Sequence, residues 1–312
     1  MKNIFKYILS IFIVLVAFNR CADNTYTMGD LTAPTDLVIN TEIVGTTTAK
    51  PNGDGSGDVK INIAATGALG YKVGYNVGSA TTDLVYAPSN SFTKKFTSLG
   101  LNTYRITVVV FGKGGTSSTL TKDVTVQFDY VPAAAIVTNL TGGSSKTWVV
   151  DPSVPGHLGV GPWDNTSVTP SWWSAGVNEK VATANCFYTS TFKFSKDATT
   201  GAFSLQVTNP DGAFTKTGSL TSLPGIPAAG AEGCYTYGGG TSAFSFLPAS
   251  TKLAASTPST QVSIALSGVN TYIGYGATLK EYEIMVLTPT YMYLRVQGTE
   301  TGNAWYIKLK AI

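Results

Sequence analysis

The sequence predicts an all-β protein of two modules, a smaller β-sandwich followed by a larger β-sandwich or β-barrel. Three observations favour this fold class. Charged residues make up only 12% of the 312 residues, too few for a coiled coil or for charge-driven disorder. The chain holds 33 Gly beside many Thr, Ser, Val and Tyr, a composition typical of strands joined by turns. Short stretches of alternating polar and apolar residues recur along it.

The first twenty residues have the pattern of an export signal. Lys2 and Lys6 form a positive segment, and an apolar run follows over residues 8–18. That run has the length of a signal-peptide core and is short for a membrane span. We expect residues 1–20 to be removed on export. The alternative is that they remain as an uncleaved membrane anchor.

Cys21 follows this apolar segment directly. The order resembles the signal of a bacterial lipoprotein, in which the cysteine is lipidated and becomes the mature N-terminus. The resemblance implies that acyl chains on Cys21 tether the protein to the outer membrane, at the cell surface. Residues 21–33 are then the lipidated cysteine and a spacer.

The charge balance argues against a nucleic-acid partner. The formal charge is +3, but three of the 21 basic residues lie in the first twenty positions, which contain no acidic residue. The remainder holds 18 basic and 18 acidic side chains. Because phosphate neutralisation dominates nucleic-acid affinity, a neutral chain without basic clusters is a poor binder of DNA or RNA.

Two further cysteines, Cys186 and Cys234, lie in the second half of the chain. An exported compartment permits a disulfide, and two cysteines allow only one pairing. The sequence leaves open whether they are close enough in space to pair. With a single His and no Cys-x-x-Cys spacing, the chain has no metal-binding pattern, and we expect neither a metal nor another cofactor.

Residues 34–130 have the pattern of a β-sandwich. Gly-rich turns separate alternating stretches at 59–63, 71–75, 103–111 and 122–128. The run 51–65 (PNGDGSGDVKINIAA), with the stretches 71–78 and 103–108 and the turn 114–116, resembles a PKD domain, an immunoglobulin-like sandwich of surface proteins. The resemblance implies a spacer module without an activity of its own.

A connector over residues 131–137 leads to the second module, residues 138–312. Strand patterns recur along this module, at 186–194, 203–207, 243–247, 261–266, 282–287, 292–296 and 305–309. A module of this length buries a sizeable core. It is predicted to be a second β-sandwich or a lipocalin-like barrel.

The ends of the second module carry a family resemblance. Its opening, 142–148 (GGSSKTW), and its closing strands, 287–296 (LTPTYMYLRV) and 305–309 (WYIKL), resemble the C-terminal domain of surface glycan-binding lipoproteins from Bacteroidota. Those proteins accompany SusC/SusD-type outer-membrane uptake systems. The resemblance implies capture of a neutral polysaccharide, with a β-glucan such as laminarin or mixed-linkage glucan preferred, and a SusC/SusD-like transporter as partner.

The segment 152–176 is the main candidate for a binding site. It contains Trp163, Trp172 and Trp173, three of the five Trp in the chain, and is rich in Pro and Gly, as loops are. An exposed indole stacks on the apolar face of a sugar ring at low entropic cost. Nearby Asp164 and Asn165 are candidate partners for sugar hydroxyls. The alternative is that these Trp are core residues, and in an extended segment Trp172 and Trp173 point to opposite faces.

Three more residues are weaker candidates for the same site. Tyr235 and Tyr237 are spaced by two, so they share a face, and on a loop rim they extend the aromatic surface. His157 is the only His in the chain. It has no evident catalytic partner, and we read it as a hydroxyl-binding or structural residue.

The sequence argues against an enzyme. A glycoside hydrolase needs two carboxylates flanking one bond, and the six Glu include only one close pair, Glu281 and Glu283, without a third acid. Two non-catalytic alternatives stay open. One is a surface adhesion or assembly protein with buried Trp, and the other is a lipocalin-like carrier with an apolar internal cavity.

Overall fold

The computed structural model describes residues 31–77, 84–218 and 223–312. The predicted signal, the lipidated Cys21 and most of the spacer lie outside the described residues. Within them, no helix has both the length and the apolar character needed to cross a membrane.

The first module is a sandwich of two antiparallel sheets, β1-β2-β5 and β4-β3-β6-β7. Burial alternates along its strands, so that every second side chain of β2 (Val59, Ile61 and Ile63) enters the core between the sheets. Its strands are β1 (Thr35–Ile43), β2 (Asp58–Thr66), β3 (Gly70–Val77), β4 (Val85–Tyr86), β5 (Ser91–Lys95), β6 (Gly100–Phe111) and β7 (Ser117–Phe128).

Helix α1 (Ala134–Thr141) begins inside the predicted connector, so that only residues 131–133 link the modules as non-helical chain. Gly142 ends the helix with a left-handed φ of 63°, a conformation that favours glycine. Leu140 is fully buried, and its carbonyl accepts a 3.0 Å hydrogen bond from Nε1 of Trp148. The helix therefore packs onto one end of the second module.

The second module is a closed antiparallel barrel of eight strands, in the order β8-β11-β12-β15-β16-β17-β18-β19 and back to β8. The all-β prediction is confirmed, and of its two alternatives for this module the structure has the barrel. The elements are β8 (Ser145–Val150), β9 (Leu158–Pro162), β10 (Trp173–Ser174), α2 (Cys186–Thr189), β11 (Thr191–Lys196), β12 (Phe203–Thr208), β13 (Ala213–Thr215), β14 (Gly233–Tyr235), β15 (Gly239–Pro248), β16 (Val262–Leu266), β17 (Thr278–Leu287), β18 (Tyr291–Gly298) and β19 (Asn303–Ala311).

Large side chains fill the barrel. Trp148, Phe192, Phe194 and Tyr282 are fully buried within one continuous core. A carrier needs an internal cavity for its cargo, so this packing does not favour the carrier alternative.

Strand β19 pairs with two different strands along one edge, and this pairing positions the Trp-rich segment. Its last three residues pair with β8 and close the barrel, whereas residues 303–307 pair with β9, which in turn pairs with β10. Strands β9 and β10 thus branch from the barrel at the end where β19 begins. We call this end the barrel mouth. Helix α2 and the hairpin β13–β14 lie at the same end, because α2 directly precedes β11 and the hairpin directly precedes β15, and both strands begin there.

Candidate functional site

Two glycines in β9 let the Trp-rich loop fold down over the outside of the sheet. A Cβ atom on Gly159 would lie 2.6 Å from Pro170, and one on Gly161 would lie 3.1 Å from the Ser171 nitrogen. The Trp172 nitrogen then donates to the Val160 carbonyl at 3.1 Å, which starts the return strand β10. The Gly-x-Gly pattern of β9 therefore permits a close crossing that larger residues would block.

Trp172 and Trp173 lie on opposite faces of this edge, as alternation in an extended segment predicts. Trp173 pairs with Val160, which itself pairs with Trp305, so these three side chains share the inner face. Trp173 packs against the barrel core. Trp172 points outward and is 59% exposed.

Trp163 is also on the outer face, and it covers a buried arginine. The Cζ of Arg295 lies 4.2 Å from the Trp163 ring centroid, and Arg295 itself is fully buried. Its guanidinium donates to the Thr251 carbonyl at 2.9 Å and to the Asp164 carbonyl at 2.8 Å. The ring of Trp163 is therefore held in place by a cation on one side.

The carboxylate of Asp164 is used within the loop. It accepts hydrogen bonds from the backbone nitrogens of Ser167 and Thr166 and from the Ser167 hydroxyl. These hydrogen bonds, the Ser167 nitrogen first, lower the pKa of Asp164. Asp164 thus shapes the turn, whereas the neighbouring Asn165 has an exposed side chain.

We call Trp163, Asn165 and Trp172 the outer patch. Trp163 directly follows β9, and Trp172 directly precedes β10, the strand that pairs with β9. Trp163 is half-buried with one face on Arg295, and Trp172 is the more exposed ring. The patch offers two indoles and an amide to solvent.

His157 does not belong to this surface, and of its two expected roles, hydroxyl-binding or structural, its burial favours the structural one. It is fully buried, with Nε2 2.7 Å from the Tyr188 hydroxyl and Nδ1 2.9 Å from the Val154 carbonyl. It directly precedes β9 and packs against helix α2, where Phe187 and Tyr188 contact its ring. Both ring nitrogens are used in holding these elements together.

Tyr235 and Tyr237 lie on the hairpin side of the mouth and not in the outer patch. The Tyr235 hydroxyl donates to the Ala231 carbonyl at 2.6 Å, and the Tyr237 hydroxyl donates to the Asn270 carbonyl. Burial raises the pKa of Tyr237. Both hydroxyls are thus occupied by the fold, and only the ring edges stay partly exposed.

A disulfide joins Cys186 of α2 to Cys234 of β14, with the two Cα atoms 5.9 Å apart. Cys186 is 1% exposed, which places the bond at the edge of the core. An ion pair lies near it, since Lys180 Nζ is 2.9 Å from Glu232 Oε1. The bond ties the β13–β14 hairpin to the helix beside the Trp-rich segment.

Both carboxylates of the one close acidic pair, Glu281 and Glu283, accept hydrogen bonds from other residues of the barrel module. Glu283 is fully buried and accepts hydrogen bonds from Thr251 and Ser259, while Glu281 accepts from the nitrogen and hydroxyl of Ser250. Across the described residues, no three His, Cys, Asp or Glu side chains come close enough to hold a metal ion.

Two residues of this region have no clear signal in the sequence. From the sequence, Arg295 looks like an exposed residue of an alternating strand. No neighbouring residue indicates that a distant loop covers it. The strand pattern around Trp305 indicates a structural residue. Only the pairing of β19 with β9, and of β9 with β10, places Trp305 in line with Trp173.

The solved structures that show a likeness to this chain include a PKD domain and a structure of carbohydrate-binding modules. One is the PKD1 domain of the Vibrio cholerae metalloprotease PrtV, at 16% identity and a TM-score of 0.21, covering 31% of this chain and 99% of that one. The other is a structure of promiscuous carbohydrate-binding modules of the beta-sandwich superfamily, at 11% identity and a TM-score of 0.23, covering 90% of this chain and 92% of that one. The chain matches no family model and no curated protein.

Proposed function

We propose that this protein captures a neutral polysaccharide through the outer patch. The observation that carries the proposal is the exposure of Trp172, at 59%, on the loop that also carries the half-buried Trp163 and the exposed side chain of Asn165. Two indoles with a neighbouring amide offer what a sugar chain needs, namely stacking faces for its C–H groups and a partner for its hydroxyls.

The rigidity of the patch supports binding. Trp163 is stacked on Arg295, whose guanidinium is itself held by carbonyls of two loops. A ring that is already fixed loses little conformational entropy when a sugar binds. The patch is thus preorganised for a rigid, extended ligand.

The finer part of the proposal rests on the family resemblance. Residues 1–20 act as an export signal and Cys21 carries the lipid that anchors the protein to the outer membrane, at the cell surface. The first sandwich holds the barrel away from the membrane. The ligand is a β-glucan such as laminarin or mixed-linkage glucan, the partner is a SusC/SusD-like transporter, and the protein has no catalytic role.

Affinity electrophoresis tests the glycan binding. The exported chain, residues 22–312, is run through gels that contain laminarin, mixed-linkage glucan or other neutral polysaccharides, beside Trp172→Ala. Tyr86→Ala is the matched control, because Tyr86 is an aromatic residue of the sandwich and is 73% exposed. We expect retardation that Trp172→Ala weakens and Tyr86→Ala leaves unchanged. If no gel retards the wild-type protein, the adhesion alternative takes the place of this proposal.

The anchoring is tested separately, in cells. The full chain and Cys21→Ala are expressed in a Bacteroidota host that is fed a labelled fatty acid. We expect label and protease-accessible surface protein only when Cys21 is present. Label on the Cys21→Ala variant would contradict lipidation at this residue.

A further inference from the structure

The barrel mouth contains a second row of tryptophans, separate from the outer patch. Trp173 and Trp305 each pair with Val160, so their side chains stand on the same face, about 10 Å apart, at two strand spacings. Both rings are partly exposed. Their indole N–H groups have no partner among the described residues, whereas the N–H of the core residue Trp148 is bonded to Leu140.

Tyr275 packs against Trp305 and Phe214. It is 1% exposed, and its ring centroid lies 4.5 Å from that of Trp305 and 5.4 Å from that of Phe214. Lys180 closes the other side, with Nζ 5.1 Å from the ring centroid of Trp173 and 5.3 Å from that of Phe214. Lys180 therefore lies between the ring of Trp173 and the contacting rings of Phe214, Tyr275 and Trp305.

Two ion pairs lie at the same end of the barrel. Lys180 Nζ is 2.9 Å from Glu232 Oε1, and Lys216 Nζ is 2.6 Å from Glu300 Oε1. Asn303 Nδ2 donates to the second oxygen of Glu300 at 2.8 Å. Burial raises the pKa of Tyr275, and the charges of Glu232 and Glu300 add to this effect.

We propose that the barrel mouth is a second saccharide-binding site, for a short stretch of a neutral sugar chain with vicinal hydroxyls. A hydroxyl both donates and accepts, so adjacent hydroxyls can donate to a carboxylate and accept from an ammonium of the same ion pair. The two Lys and two Glu cancel in charge, which gives an anionic chain no net attraction. The Trp173–Trp305 row supplies the stacking surface, with two free N–H donors.

This site is distinct from the outer patch because Trp172 and Trp173 point to opposite faces of the sheet. The choice of a saccharide as the ligand of this second site rests on the proposed function. Two sites on one protein raise the apparent affinity for a polymer, since the second contact becomes intramolecular once the first has formed.

Affinity electrophoresis with laminarin and mixed-linkage glucan as probes tests the second site, with the exported chain, residues 22–312. The mouth variants are Trp305→Ala and Lys216→Met; the Lys216 side chain is 40% exposed, so its loss leaves the core intact. Lys193→Met is the matched control, an exposed lysine on the barrel strand β11. Trp172→Ala reports on the outer patch, and urea unfolding checks that each variant is folded.

We expect each mouth variant to weaken binding about tenfold, as is typical of a central binding residue, and Lys193→Met to have no effect. Combined with Trp172→Ala, either mouth variant should abolish retardation. If both mouth variants bind glucan as the wild type does while Trp172→Ala loses binding, the second site is overturned and the proposed function stands. Absence of retardation of the wild type by either glucan overturns both proposals.

Discussion

The indole of Trp163 stacks on the guanidinium of Arg295, with the Arg295 Cζ atom 4.2 Å from the ring centroid. The pair joins a loop to the barrel wall, since Arg295 lies in β18 and also donates to carbonyls of Asp164 and Thr251. Directly across the β17–β18 ladder lies Glu283, which is fully buried as well. One buried cation thus positions both an aromatic ring and two loops.

Arg295→Met is expected to destabilise the protein by about 3–5 kcal/mol. The substitution leaves the carbonyls of Asp164 and Thr251 without their donor and removes the positive charge opposite the buried Glu283. Urea unfolding measures the loss. Arg105→Met is the control, because Arg105 and its partner Asp123 are both exposed, and its effect should be small. Equal losses in the two variants would contradict a special role for Arg295.

Gly159→Ala is expected to cost about 1–3 kcal/mol, because its Cβ would lie 2.6 Å from Pro170. The loop that carries Trp163 and Trp172 must then lift from β9, so retardation by glucan should weaken too. Gly238→Ala is the matched control in the same module, since its Cβ would meet no atom within 4 Å. Wild-type stability and binding in Gly159→Ala would show that the close crossing is not needed.

Replacing Cys186 and Cys234 together by Ser is expected to lower the free energy of unfolding by about 4 kcal/mol. The residues are 48 apart in sequence, and the bond restricts the unfolded chain over that loop. Glu232 lies two residues before Cys234, so the ion pair with Lys180 should also loosen. Urea unfolding with and without a reductant checks the prediction; an unchanged midpoint for the wild type under reducing conditions would contradict it.

The lowered pKa of Lys280 predicts that the stability of the protein depends on pH. Burial lowers its pKa to about 8, and Nζ donates to the Thr271 carbonyl at 2.6 Å. An unfolded lysine titrates near pH ~10.4, so between these values the unfolded chain binds more protons than the folded one. The free energy of unfolding should therefore rise with pH across that window. Tyrosines oppose the rise above about pH 10, because burial raises their pKa in the fold, as for Tyr188.

Urea unfolding at about pH 7.5 and about pH 9.5 measures this slope. Lys280→Met should be flatter than the wild type between the two values, since the variant lacks the titrating group. Lys193→Met, an exposed lysine of the same barrel, should keep the wild-type slope. The same slope in all three proteins would contradict the assignment to Lys280.

The sequence supports the fold class well because strand alternation is a local property. The period of two in residues 59–63 predicts which side chains enter the sandwich core, and Val59, Ile61 and Ile63 are indeed buried. The same period predicts that Trp172 and Trp173 diverge. Composition argued against a coiled coil, and the position of three Trp in one loop-like stretch directed attention to the segment 152–176.

The candidate sites follow from the sequence only in part. Trp163, Asn165 and Trp172 lie near one another along the chain, so local reasoning brings them together. His157 lies in the same segment, yet it is buried because α2 packs on it, a contact that no local pattern shows. Arg295 is equally hidden from local reasoning, since its partners come from two loops far away in sequence.

The sequence by itself determined that this protein is all-β, that its first residues have the form of an export signal, and that three of its five Trp lie in the segment 152–176. Only the tertiary structure decided that the second module closes as a barrel, that Cys186 meets Cys234, and that Trp305 stands in line with Trp173. The physical reason is the range of the interactions. Alternation and turn chemistry act between neighbours in the chain, whereas barrel closure and strand register depend on the sum of many contacts between distant strands.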